Sequence, residues 1–126
     1  MVLLCVDDDP DDIDVFRDAV KQADRTARCV TASNGQQAFD LLEEGLRPDF
    51  IFLDINMPVL AGMETLRAMR EDGRYRTIPV IMYSTSSHPN EINDYKRAGA
   101  TDFLVKPNHF SELCSALKAI LRGELN

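Results

Sequence analysis

"MVLLCVDDDPDDIDVFRDAV", residues 1–20, is the stretch whose reading decides the fold. Val2–Val6 is continuously apolar and of strand length, and it stops on acid: five carboxylates stand within the six residues 7–12. Beyond them Ile13, Phe16, Val20 and Ala23 return at helical spacing. A strand therefore feeds a helix through an acidic joint. Like charges ~4 Å apart repel by about 1 kcal/mol in bulk water and about 4 kcal/mol at an effective dielectric of 20, so the crowding needs a reason. Three of the acids have a local one. Asp9 suits the N-cap of a helix opening at Pro10, and Pro suits the first helical position. Asp11 and Asp12 then fall in the first turn, where the helix dipole favours negative charge. Asp7 and Asp8 lie at the strand end, with no helix terminus to offset them.

The same alternation continues along the chain. Apolar runs of strand length recur at Cys29–Ala32, Phe50–Leu53, Val80–Tyr83 and Phe103–Val105. The run at Cys29 is the weakest and is expected at a sheet edge. Between the runs lie helical stripes: Ala38, Leu41 and Leu42, stopped at Gly45; Met63, Leu66 and Met69; Ile92, Tyr95 and Ala98, stopped at Gly99; and Leu113, Leu117, Ile120 and Leu121, with Ser111 as the expected N-cap. Five β-α units imply parallel strands with right-handed helical crossovers. Runs without polar alternation imply a sheet covered on both faces. The predicted fold class is α/β, an open doubly wound five-stranded parallel sheet ordered 2-1-3-4-5. In that order a ligand site lies beyond the carboxyl ends of the strands, between strands 1 and 3.

Composition sets bounds on function. The chain has 126 residues, 44% hydrophobic and 28% charged, with a formal charge of −7. One domain, residues 1–126, is expected. The acidic balance argues against gripping a nucleic-acid backbone and against anionic membrane surfaces. No apolar run reaches membrane-spanning length, and no secretory signal is visible. Three cysteines, Cys5, Cys29 and Cys114, with no C-x-x-C spacing, are expected to be reduced, buried thiols in a cytoplasmic protein.

At the predicted strand ends stand Asp7 and Asp8 (strand 1), Asp54 (strand 3), Ser84 (strand 4) and Lys106 (strand 5). Three carboxylates converging on one rim suit a hard divalent cation, and Mg2+ suits best because it keeps waters and takes phosphate oxygens. An EF-hand loop opening at Asp7 fails, with Asp12 at its sixth position, Asp18 at its twelfth and a proline inside. Taken singly, Lys106 is a solvated charge and Ser84 a loop hydroxyl. Together beside the acids they form a site in which an ammonium offsets carboxylate repulsion and holds a phosphoryl oxygen, while a hydroxyl donates to another.

With these residues in hand, "LLCVDDD", "FLDINMP", "MYST" and "FLVKP" resemble the receiver domain of two-component response regulators, in the right order and over essentially the whole chain. The likeness is greatest to stand-alone receivers of the flavodoxin-like fold. The resemblance implies a phosphoryl acceptor rather than an enzyme, catalysing at most its own phosphorylation and dephosphorylation. Asp54 would be phosphorylated. Asp7, Asp8, Asp54 and the backbone carbonyl of Asn56 would hold Mg2+. Ser84 and Phe103 would be the switch pair, Lys106 would contact the phosphoryl group, and the Lys106–Pro107 bond would be cis. A sensor histidine kinase or phosphotransfer protein would donate, and a downstream protein target would read the switch; the receiver itself would be a monomer or weak homodimer. Phe103, Thr85 and Asn108 depart from the commonest pattern: Phe103 lacks a tyrosine hydroxyl, Thr85 narrows access to Asp54, and Asn108 replaces an aromatic. Two other readings compete. A phosphohydrolase of the haloacid dehalogenase type wants an acid where Asn56 stands. A phosphorylation-independent interaction module on the same fold has no need of the acids and Lys106, all of which are present.

Overall fold

The structure is a computed structural model, and it describes residues 1–55, 62–85 and 88–123. Five strands alternate with five helices: β1 (Val2–Val6), α1 (Pro10–Ala23), β2 (Arg28–Ala32), α2 (Gly35–Glu43), β3 (Phe50–Asp54), α3 (Gly62–Glu71), β4 (Val80–Ser84), α4 (Pro89–Arg97), β5 (Asp102–Val105) and α5 (Phe110–Leu121). The sheet order is β2-β1-β3-β4-β5 and every neighbouring pair is parallel, as the sequence pattern predicts. β2 lies at an edge, and most of it is only half-buried.

The two faces of the sheet carry separate cores, because side chains alternate along each strand. Leu3, Cys5, Phe52, Ile81 and Tyr83 pack under Phe16, Ala19 and Val20 of α1 and Leu113, Leu117 and Ile120 of α5. Leu4, Val6, Ile51, Leu53, Val80 and Met82 pack under α2, α3 and α4 through Ala38, Leu42, Leu66, Met69 and Tyr95. Tyr95 is the buried side chain of α4.

The helix ends follow local chemistry. Asp9 is the N-cap of α1, its carboxylate accepting from the Asp11 N–H at 2.9 Å, and Pro10 opens the helix. Gly45 and Gly99 follow α2 and α4 at φ 109° and 111°, the left-handed region that glycine enters without steric cost.

Two expectations are corrected. Ser111 is not the cap of α5: the helix already runs at Phe110, and His109 caps it through its carbonyl, which accepts from the N–H groups of Glu112 and Leu113. The chain turns helical as soon as it leaves Pro107–Asn108, because Leu113 must reach the core two residues after Ser111. The cysteines are free, but only Cys5 is buried. Cys29 is half-buried because β2 is an edge strand, and Cys114 because it sits on the flank of α5 rather than its apolar stripe.

Candidate functional site

Register places the strand-end residues. Val6 lies beside Leu53, Leu53 beside Met82 and Met82 beside Phe103. One step further along each strand, Asp54 lies beside Tyr83 and Tyr83 beside Leu104. Alternation then divides the rim. Asp7, Asp54 and Lys106 share the parity of Cys5, Phe52 and Leu104, whose side chains belong to the α1/α5 face. Ser84 and Phe103 share the parity of Met82, on the α2/α3/α4 face. The predicted site residues are thus brought together as two groups on opposite sides of one sheet edge. Asn56 lies outside the described residues.

On the first side, carboxylate oxygens of Asp7, Asp8 and Asp54 all lie within 4.8 Å of one another. Asp7 and Asp54 are 1% and 8% exposed, while Asp8 faces solvent. The Lys106 ammonium sits among the acids, 3.3 Å from Asp7 Oδ2 and 3.8 Å from Asp54 Oδ1. Its nearest carboxylate is neither of these: Asp12 Oδ2 accepts from it at 2.9 Å. Asp12 is therefore more than a dipole-compensating acid. α1 packs against α5 and carries Asp12 over the end of β5, a contact between residues 94 apart in sequence. That distance is why the residue pattern around Pro10 gave no sign of it. The Tyr83 ring supports the same ammonium from below, with Nζ 4.9 Å from its centroid.

Burial raises the Asp7 carboxyl above the usual carboxylate range, and the Asp9 backbone N–H and Lys106 pull it down without cancelling that rise. Burial depresses Lys106, but its hydrogen bond to Asp12 and the charges of Asp54 and Asp7 outweigh this and hold the ammonium well above its ordinary value. Burial likewise pushes the Tyr83 hydroxyl up to about 12. At neutral pH Lys106 is a firmly protonated cation set against Asp7, Asp12 and Asp54. Three oxygen ligands with net negative charge fit a hard divalent cation.

Gly62 is a second residue that sequence reasoning passed over. Its N–H donates to the Ile55 carbonyl at 3.0 Å. A Cβ there would come 2.7 Å from the Asp54 carbonyl oxygen and 2.8 Å from Ile55 Cα. Only glycine lets α3 start this close to the end of β3.

On the other side, Ser84 is buried and Phe103 half-buried, its ring 6.1 Å from the Tyr95 ring of α4. Ser84 ties the strand ends together through its carbonyl, which accepts from the Lys106 N–H at 2.7 Å. No described peptide bond is cis, so Lys106–Pro107 is trans, contrary to the implication of the resemblance. An X–Pro bond prefers trans by roughly 0.5–1 kcal/mol. Thr85 is exposed and, with Asp12, Tyr83 and Lys106, lines an open cavity of about 270 Å3 at the rim. A larger groove of about 700 Å3 between α3 and α4 touches none of these residues.

The family model of the response regulator receiver domain matches residues 3–118. The chain belongs to this family. The receiver is 35% identical over 130 aligned residues to the nitrate/nitrite response regulator protein NarL of Escherichia coli, covering 98% of this chain and 56% of NarL. It thus spans little more than half of that relative. Its fold matches that of the phosphorylated cyanobacterial phytochrome response regulator RcpA, with a TM-score of 0.85 at 27% identity over 94% of this chain and 89% of RcpA. It also matches the chemotaxis response regulator CheY4 of Vibrio cholerae, with a TM-score of 0.82 at 30% identity over 94% and 97% of the two chains. As a receiver domain of two-component response regulators, the chain is a phosphoacceptor signalling module. No helix among the described residues is long and apolar enough to cross a membrane.

Proposed function

We propose that this receiver accepts a phosphoryl group on Asp54 from a phosphohistidine of a sensor kinase or phosphotransfer protein, and that residues 1–126 act as one unit in doing so. The observation that carries this is the meeting of Asp7, Asp8 and Asp54 within 4.8 Å, with Lys106 beside Asp54. A carboxylate oxygen of Asp54 attacks phosphorus. The P–O bond forms as the P–N bond to imidazole breaks, and the electron pair leaves on that nitrogen. Such transfer asks for alignment and charge neutralisation more than for covalent chemistry by the protein. Asp7, Asp8 and Asp54, with the Asn56 carbonyl, would hold Mg2+, which supplies neutralisation of phosphoryl charge when bound. Lys106 supplies a second positive charge, held in place by the Tyr83 ring.

The switch lies across the sheet. The phosphoryl group brings up to two negative charges and three acceptor oxygens to Asp54, and since the carboxylate gives up its own charge in the new ester bond the net gain is about one. Ser84, at the start of the loop into α4, turns its hydroxyl toward them. The space it leaves admits Phe103, whose contact with Tyr95 is then remade. The face formed by α4, β5 and α5 presents the change to a downstream protein. Free thiols suit a reducing compartment, the cytoplasm.

Intact mass spectrometry after incubation with acetyl phosphate and Mg2+ tests the proposal. The wild type should gain one phosphoryl group and Asp54→Asn none. An equal gain in the variant would place the acceptor elsewhere.

A further inference from the structure

We propose that Asp12 is a positioning residue for phosphoryl acceptance, one that holds the Lys106 ammonium back from Asp54 at rest and releases it when the phosphoryl group arrives. This rests on the phosphoacceptor reading of Asp54. Three carboxylates compete for one ammonium, and the distances rank them: 2.9 Å to Asp12, 3.3 Å to Asp7 and 3.8 Å to Asp54. Only the first has the length of a strong charge-assisted hydrogen bond, and the last is beyond hydrogen-bond reach. The cation that the site needs at Asp54 is held on the side facing α1.

Exposure decides which partner can let go. The Asp12 side chain is 43% exposed and the Asp7 side chain 2%. Water can replace Lys106 at Asp12 at little cost, whereas a buried carboxylate that loses its partner is left with an uncompensated charge. A phosphoryl group on Asp54 brings acceptor oxygens and charge to the opposite side of the ammonium. Lys106 then keeps Asp7 and exchanges Asp12 for phosphoryl oxygen. Asp12 thus competes in the resting state and is merely hydrated in the occupied one, so it weakens net phosphoryl affinity. It is not one of the three acids whose oxygens cluster for a metal.

Beryllofluoride, a phosphoryl mimic, tests this by titration in saturating Mg2+. Asp12→Asn and Asp12→Ala should bind it about threefold to tenfold more tightly than wild type, equivalent to about 0.7 to 1.4 kcal/mol. Asp12→Glu, which keeps the charge within reach, should stay within about twofold of wild type, as a tenfold change would need the full 1.4 kcal/mol. Asp11→Asn removes the same formal charge from the same helical turn without touching Lys106, and should also stay near wild type. Mg2+ affinity measured alone should be nearly equal in Asp12→Asn and wild type. Unchanged or weaker binding by Asp12→Asn, an equal gain in Asp11→Asn or Asp12→Glu, or a parallel change in Mg2+ affinity would each overturn the inference. No beryllofluoride binding by the wild type would overturn the phosphoacceptor reading along with it.

Discussion

Replacing Lys106 by Met removes the one cation that the described residues place among the rim acids, and the structure fixes how much that should matter. At an effective dielectric of 20, separations of 2.9, 3.3 and 3.8 Å give gross attractions of about 6, 5 and 4 kcal/mol to Asp12, Asp7 and Asp54. Most of this is offset by the desolvation of a side chain only 13% exposed. What counts is the state left behind. Asp7 and Asp54 stay buried with carboxylate oxygens within 4.8 Å and without the ammonium, and breaking a buried charge pair by removing one partner costs about 3–5 kcal/mol. The solvated Asp12 adds little, so the expected loss is about 3 kcal/mol without metal, at the low end of that range. Urea unfolding followed by far-UV circular dichroism at pH 7 in EDTA should show the midpoint falling by roughly 1–3 M, for slopes of about 1–3 kcal/mol per M. In millimolar Mg2+ the gap should shrink by half or more, because a cation held by the same carboxylates replaces the lost charge. The pH dependence has a definite sign. Burial raises the Asp7 carboxyl, so as pH falls through that raised range the folded state takes up the proton first and the repulsion fades. The gap between variant and wild type should narrow there. The contribution of Lys106, whose ammonium is held above its ordinary value by these carboxylates, is full at neutral pH, fades as they take up protons, and at the alkaline end is lost only on strong alkalinisation. Equal midpoints in EDTA, or a gap that Mg2+ leaves untouched, would refute the charge argument.

Other outcomes follow from the same geometry. Asp8→Asn should lose most of its Mg2+ affinity in a titration, while Asp9→Asn, at the helix cap, should keep it; equal losses would mean that the acidic run does not divide as described. Gly62→Ala should cost about 1–3 kcal/mol, since its Cβ meets Asp54 and Ile55 backbone that cannot yield. Gly73→Ala, whose Cβ meets nothing within 4 Å, should be neutral or slightly stabilising by thermal melting. Ser84→Ala should still gain phosphate by mass yet leave the Phe103 and Tyr95 ring resonances unmoved on beryllofluoride addition; ring shifts equal to those of the wild type would show that the coupling bypasses Ser84.

The sequence by itself determined the order and kind of every element. Uninterrupted apolar runs at Val2, Phe50 and Val80 can only be strands covered on both faces, and helical stripes between them leave parallel pairing as the sole outcome. It determined the carboxyl-end rim too, because Asp7, Asp54, Ser84 and Lys106 stand next to apolar runs whose ends can be read directly. Local chemistry was equally legible: Asp9 capping α1, Gly45 and Gly99 closing helices. Where a cap depended on when the chain could reach the core, as at His109 rather than Ser111, local chemistry misled. Tertiary structure alone decided who shares the Lys106 ammonium. Asp12 wins it because α1 leans on α5, a packing of whole helix faces that no spacing within residues 7–12 encodes. The approach of Gly62 to the Asp54 carbonyl is of the same kind. The split of Asp7, Asp54 and Lys106 from Ser84 and Phe103 across the sheet depended on register, since a shift of one residue exchanges the faces. Periodicity reports the environment of each residue within its own element; contacts between elements arise only when the two cores close, and they assign each charge its partner.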